Sequence, residues 1–324
     1  MEYSTRCVRL SRGVTLDNAC SKDSSYIYSR YSNETREELE STIAHLYGDR
    51  ARCYCLASGM SCLSLLLKKL GNRPILADEH IHSEAKELLE ISGSNVQFFD
   101  FTDVNSLRSK AEQGDILLFD CLRNPTCVAY DVKQICDIAK EKGMTTIVDN
   151  TLLTSYYSNP FDCGANFVIE SLSKYCCGHG DSLGGSLLCN VDLSMDIALN
   201  GCAISPFNAW LIRRGLATLP LRIARISETT SLVNKWLSGE SHIIGGDSRC
   251  GIIVFGFGTE KQHKQFMQSL KLIRYSFSFG QDNTLISECL SNVDDAACMR
   301  LCIGLEAPKD IIDDLQQAFK TIGV

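Results

Sequence analysis

At 324 residues the chain is long enough for one large and one small domain with substantial cores. Hydrophobic residues make up 44% and charged residues 22%, the balance of an ordinary soluble globular protein. A net charge of −7, from 32 basic and 39 acidic side chains, argues against a nucleic-acid surface, and no apolar run approaches the length of a membrane span.

Read from the start, Met1-Glu2-Tyr3-Ser4-Thr5-Arg6 lacks the apolar core of a secretory signal, so a cytoplasmic location is expected. Apolar positions three and four apart predict helices over 35–47 and 59–70. Short apolar runs predict strands at 74–77, 95–100, 116–120, 145–149, 166–169 and 185–189. Helical segments near 83–91 and 131–142 separate the early ones, and Gly143 is placed to end the second. Strands alternating with helices predict a mainly parallel sheet covered on both faces. From about 207 the pattern is helical through 237. A smaller mixed part follows, with strands near 251–256, 273–277 and 299–303 and a last helix near 309–321. The expected division is an N-terminal arm over 1–35, a large domain over 36–230 and a small C-terminal α+β domain over 231–324.

The 17 cysteines are odd in number and spread along the chain. Cys53/Cys55 and Cys176/Cys177 lack second ligand pairs at zinc spacing, so no metal is expected. They read as small buried hydrophobes in a reducing compartment.

The chemistry concentrates in Glu170-Ser171-Leu172-Ser173-Lys174-Tyr175 and Gly178-His179-Gly180-Asp181. Ligands of α/β sheets bind at the carboxyl ends of strands. Asp149 ends one predicted strand and Lys174 follows the next, which places both at one cleft. A single lysine beside small hydroxyls, after a buried strand carrying one Asp, suits pyridoxal phosphate (PLP). The lysine forms the Schiff base, the Asp keeps the pyridine nitrogen protonated, and the hydroxyls of Ser171 and Ser173 hold the phosphate. Gly59 and Met60, where a strand turns into a helix, offer amides and a helix dipole to the same phosphate. Taken alone, the lysine stretch also fits an exposed lysine after a turn.

Ser171-Leu172-Ser173-Lys174-Tyr175 with Gly178-His179-Gly180-Asp181-Ser182-Leu183-Gly184-Gly185 resembles the lysine motif of the cysteine/methionine metabolism PLP-dependent enzymes. This is the cystathionine γ-lyase, cystathionine β-lyase, cystathionine γ-synthase and methionine γ-lyase group. Other segments match the family in order: Tyr28-Ser29-Arg30, Ser58-Gly59-Met60, Asn124-Pro125-Thr126, Val148-Asp149-Asn150-Thr151, Ser205-Pro206-Phe207 and Arg300-Leu301-Cys302-Ile303-Gly304-Leu305-Glu306. The resemblance implies the aminotransferase-like fold (fold type I) and a homodimer or homotetramer with shared active sites. It implies that Tyr28 and Arg30 reach the phosphate of the neighbouring subunit, and that Asn124 lies near the cofactor's phenolic oxygen. It makes Arg300 the clamp on the substrate α-carboxylate, with Ser278 beside it. On local grounds, Tyr28-Ser29-Arg30 also reads as a solvated loop, Asn124 as a turn residue before Pro125, and Arg300 as a strand-end surface arginine.

The departures bear on the reaction. Where the family has Tyr-Gly-Gly-Thr, this chain has His82-Ser83-Glu84-Ala85. An imidazole can stack on the cofactor ring and move protons, but it is not the same acid as a phenol, which weighs against γ-elimination. Asp120 replaces a Glu, and Phe277 precedes the family's Ser-Leu-Gly turn, where an apolar ring suits a less polar substrate side chain. The segment before Tyr28 and the stretches before Gly251 and Arg300 are abbreviated. The resemblance therefore implies a PLP-dependent carbon–sulfur lyase on a sulfur amino acid, releasing keto acid, ammonia and thiol. A γ-replacement transferase, an enzyme of an unusual amino acid, and a catalytically silent paralogue stand as alternatives.

Overall fold

A computed structural model of the chain describes residue 26 and residues 28–112, 115–289 and 298–323. Most of the expected N-terminal arm therefore lies outside the described residues. The chain divides into two compact units. The first takes in the chain to Cys121, Tyr130–Cys177 and Asp181–Ala217. The second takes in Leu122–Ala129, Gly178–Gly180 and the chain from Thr218 onward.

The first unit runs α1 (Glu34–Leu46), β1 (Arg52–Leu56), α2 (Gly59–Leu70), β2 (Ile75–Asp78), α3 (Ser83–Ile91), β3 (Val96–Phe99), α4 (Val104–Lys110) and β4 (Ile116–Asp120). It continues with α5 (Val132–Glu141), β5 (Thr145–Asp149), α6 (Thr154–Tyr157), β6 (Phe167–Glu170), β7 (Gly185–Cys189), α7 (Ser194–Asn200) and α8 (Pro206–Leu216). Seven strands form one sheet in the order β1-β7-β6-β5-β4-β2-β3. From β6 across to β3 the strands are parallel, and β7 runs antiparallel to both of its neighbours. Leu56, Leu66, Ile75, Ile116 and Ile147, all at most 1% exposed, anchor the core between sheet and helices.

The predicted strands are all present. Their register has a consequence: Asp78, Asp120, Asp149 and Glu170 are the last residues of β2, β4, β5 and β6. Four carboxylates thus stand along the carboxyl edge of the parallel sheet. The helix before β5 ends as read. The N–H of Gly143 bonds the Lys140 carbonyl and that of Met144 the Ala139 carbonyl, with Gly143 at φ +65°. This double bond pattern needs a left-handed residue at the turn, which glycine supplies without strain. Strand β1 was not among the apolar runs, because Arg52 and two cysteines interrupt it; in the fold, Cys53 through Leu56 are all buried. Of the 15 cysteines among the described residues, 12 are buried and none is bridged, as expected of small core side chains.

The second unit contains α9 (Leu219–Leu237), β8 (His242–Asp247), β9 (Ile252–Gly256), α10 (Glu260–Ser269), β10 (Arg274–Tyr275), β11 (Leu285–Glu288), β12 (Met299–Cys302) and α11 (Pro308–Ile322). Its five-stranded sheet has the order β10-β11-β12-β9-β8 and is antiparallel except between β10 and β11. Phe255, Phe266, Phe319 and Leu301 lie at the centre of its core. The long helical stretch predicted through 237 is two helices, α8 and α9, with Pro220 in the first turn of the second. Strands β8 and β11 and helix α10 were not expected. Two glycines weaken the strand pattern of β8, and α10 is mostly polar, held at its start by a reciprocal Thr259–Gln262 cap.

Candidate active site

The turn from β1 into α2 forms the floor of the site. Ser58 caps the helix, its hydroxyl accepting from the Ser61 N–H at 3.0 Å. The next helical N–H, that of Cys62, reaches the Ser58 carbonyl. The N–H groups of Gly59 and Met60 come before the first intrahelical bond, so they point out of the helix start. Two glycines permit the close approach. A Cβ on Gly59 would meet Ser171 Cβ at 3.3 Å, and one on Gly185 would meet the Ser58 carbonyl oxygen at 2.3 Å. Beside this helix start opens a cleft of about 370 Å3, whose walls include Met60, Ser61, Lys68 and Asn200.

The lysine turn is bonded to the same floor. The Ser171 N–H donates to Thr151 Oγ1 at 2.8 Å, and the Thr151 N–H donates to Asp149 Oδ1 at 2.8 Å. The Lys174 N–H closes the turn on the Ser171 carbonyl. Ser173 faces Gly184: its hydroxyl accepts from the Gly184 N–H at 3.0 Å and donates to the Gly184 carbonyl at 3.3 Å. Its single donor is thus engaged, and of the two serines it is Ser171 that lies against the helix start.

Asp149 pairs in register with Asp120 on the adjacent strand. Burial raises both carboxyls, and two neighbouring carboxylates resist ionising together. Asp120 rises well above its ordinary range, from burial first and then from Asp149 and Asp78, against the pull of the His82 backbone N–H. Burial raises Asp149 too, opposed by the Thr151 hydroxyl and N–H and by His82. Burial thus holds both carboxyls above the usual range, Asp120 the further, and a cation opposite Asp149, such as a protonated pyridine nitrogen, would favour its charged form.

His82 stands at the start of α3 without capping it. Its side chain is half exposed, and Nε2 lies 2.9 Å from Glu84 Oε2. Burial works to raise the Glu84 carboxyl, but its own backbone N–H, His82, the Ser83 hydroxyl and Lys174 together hold it below the usual range. The first unit thus brings Gly59, Met60, Asp149, Ser171, Lys174 and His82 into one network. Glu84 and the strand-end Asp120 belong to it as well. Glu84 was legible only as part of the Tyr-Gly-Gly-Thr departure, where nothing marked it as a partner for His82.

The remaining expected residues are held by other contacts within their own units. Arg30 rests against the rings of Tyr28 and Tyr31, at 5.2 and 4.9 Å, and donates to the Ala198 carbonyl in α7 at 2.7 Å. Asn124, Ser278 and Arg300 belong to the second unit. Arg300 lies on β12, donates to the Phe277 carbonyl at 2.6 Å and faces the Phe279 ring at 5.8 Å. Its Nε is buried with no hydrogen-bond partner among the described residues. Ser278 follows directly in that loop, its N–H bonded to the Ser276 hydroxyl.

The donor set fits a phosphorylated pyridine aldehyde. A helix start and a hydroxyl suit the phosphate, a strand-end carboxyl suits the ring nitrogen, and a lysine on the next turn suits the aldehyde. Comparison with known proteins agrees. The chain is 30% identical to a cystathionine gamma-synthase of Haemophilus influenzae, over 91% of this chain and 87% of that protein. It is 28% identical to a cystathionine beta-lyase of Lactococcus lactis, over 94% and 90% of the two chains. A solved O-acetylhomoserine (thiol)-lyase from Campylobacter jejuni, which carries N'-pyridoxyl-lysine-5'-monophosphate, superposes with a TM-score of 0.82 at 26% identity, covering 91% of this chain and 87% of that one. The fold is accordingly fold type I of the PLP-dependent enzymes. Residues 9–245 match the "Cys/Met metabolism PLP-dependent enzyme" family, and the chain belongs to that family.

Proposed function

We propose that the chain is a carbon–sulfur lyase that acts on a sulfur amino acid and favours a leaving group on Cβ. The observation that carries this reading is His82, whose imidazole lies beside Asp149 and is bonded to Glu84 where the family places a phenol. Protonating a leaving group on Cγ demands a donor matched in both position and pKa. Imidazole is smaller than phenol and titrates about three units lower in water.

When bound, PLP supplies the electron sink for a proton lost from the substrate Cα. Gly59 and Met60 present amides, and Ser171 a hydroxyl, to its phosphate. Asp149 holds negative charge at the ring nitrogen. Lys174 supplies the amine that anchors the cofactor and takes the Cα proton when the substrate displaces it. Arg300 receives the substrate α-carboxylate, for which its unpartnered Nε provides a donor. By the family resemblance Asn124 serves the cofactor and Ser278 the substrate carboxylate, Tyr28 and Arg30 serve the neighbour in a homodimer, and the enzyme works in the cytoplasm.

The chain also resembles a relative named as a synthase, so capture of a thiol on Cγ is the rival reaction. Incubation with cystathionine, cysteine, methionine and O-acyl homoserines, followed by keto acid and thiol assays, separates the two. Keto acid from cystathionine or cysteine faster than from methionine supports the lyase reading. Net cystathionine formation from an O-acyl homoserine and cysteine would replace it.

A further inference from the structure

Glu84 has no part in the roles assigned above, yet it touches the residue on which the reaction choice rests. Its Oε2 accepts from the Ser83 hydroxyl at 2.9 Å and lies 2.9 Å from His82 Nε2. Lys174 acts electrostatically on the same carboxylate. All four residues lie in the first unit. We propose that Glu84 is a positioning residue that fixes the orientation and tautomer of His82 and contributes negative charge to the surroundings of Lys174.

A neutral imidazole has one donor and one acceptor nitrogen, and the partner of one decides the role of the other. With Nε2–H donating to Glu84, Nδ1 is the acceptor and can receive a proton. Without Glu84 either tautomer is open, and the ring is free to turn. The charge matters separately. An anion beside Lys174 favours the protonated state of whatever nitrogen the lysine carries. The other carboxyls around His82 are Asp149, on which it acts electrostatically, and Asp120, which its backbone N–H meets; both stay in place in Glu84 variants. A merely structural role is the alternative: an acidic residue in the first turn of α3 stabilises the helix dipole.

The test compares purified holoenzyme carrying Glu84→Ala, Glu84→Gln, Glu84→Asp, His82→Ala and the His82→Ala/Glu84→Ala pair. The first readout needs no substrate: the pH midpoint of the visible absorbance change of the bound cofactor. Glu84→Ala and Glu84→Gln should lower it by about one pH unit, the scale of a removed neighbouring charge, with Glu84→Asp close to wild type. Imidazole nitrogen NMR shifts should show Nε2–H dominant in wild type and a tautomer mixture in Glu84→Ala. The third readout rests on the lyase reading. Glu84→Ala should lower kcat by roughly 10- to 100-fold, the scale seen when an orienting partner of a histidine is lost. It should cost little more once His82 is already alanine. An unchanged midpoint and tautomer in folded Glu84→Ala, or an equal loss of kcat with and without His82, overturns the proposal. If no sulfur amino acid is turned over, the lyase reading fails while the midpoint and the tautomer still decide the role of Glu84.

Discussion

A Cβ on Gly185 would lie 2.3 Å from the carbonyl oxygen of Ser58 and 2.5 Å from the amide nitrogen of Gly59. The first residue of β7 thus sets how deeply the helix start of α2 can sit in the sheet. No side chain fits there without moving backbone. Gly185→Ala should push the turn away from Ser171 and separate the amides from its hydroxyl. Overpacking of this kind costs about 1–3 kcal/mol. We expect lower thermal stability and at least about tenfold weaker PLP binding, a loss of roughly 1.4 kcal/mol. Cofactor titration of the apoprotein measures it, and wild-type affinity in the variant would show that the floor does not hold the phosphate.

Lys174 is the one lysine on the turn after β6, and that turn is bonded through Thr151 to Asp149. Lys174→Ala should abolish both the visible absorbance of bound cofactor and turnover. A variant that still turns over substrate at the normal rate would remove Lys174 from the mechanism.

Asp149→Ala should leave PLP bound and cut the rate by orders of magnitude, because the charge opposite the ring nitrogen is lost. Activity within about tenfold of wild type, a change of roughly 1.4 kcal/mol, would mean another group protonates the ring. Asp120 is the group to examine then. It is the register partner of Asp149, and burial with its two neighbouring carboxylates raises it well above the usual carboxyl range.

Arg30 is held by two tyrosine rings and the Ala198 carbonyl of its own chain. If it serves the neighbouring site, mixing Arg30→Ala with Lys174→Ala should restore part of the activity, since a hybrid dimer then contains one intact site. Proven subunit exchange without recovery would show that the site is not shared.

Much of this could be read from the chain because the parallel sheet leaves strong marks. β2, β4, β5 and β6 are short apolar runs, each ending in one carboxylate, and the lysine motif follows the last of them. Partnerships between distant residues left no such mark. Glu84 is an ordinary acidic residue in a helix start, and its tie to His82 exists only once α3 is formed. Ser173 matches the motif as well as Ser171 does, yet the fold turns it to Gly184. Strand β1 was missed because cysteine and arginine do not read as an apolar run, although four of its five residues are buried. Tyr47 gave no signal at all. It is fully buried, donates to Glu170 at 2.8 Å and accepts from the Asn150 side chain at 2.9 Å, tying the ends of β5 and β6 together.

That buried contact leads to a prediction about pH. Glu170 is 1% exposed, and it also accepts from the Cys176 thiol at 2.9 Å, so it brackets the lysine turn from both ends. Burial raises its carboxyl to about 7, against the pull of the Cys176 and Tyr47 hydrogen bonds. In the unfolded chain a glutamate titrates near about 4.3. Between those values the folded state holds more protons than the unfolded one, so the contribution of Glu170 to stability falls as pH rises through this window and levels off above about 7. The full change is on the order of 4 kcal/mol, because each tenfold difference in proton affinity between the two states is worth about 1.4 kcal/mol. Glu170→Gln removes the titration while keeping an acceptor for Tyr47. The melting temperature of the variant relative to wild type should therefore rise from about pH 5 to about pH 7 and level off by about pH 8. Glu40, raised to about 7 by its own burial, is present in both proteins and cancels from the difference. A difference that stays flat across that range would show that Glu170 is already ionised at its lower end.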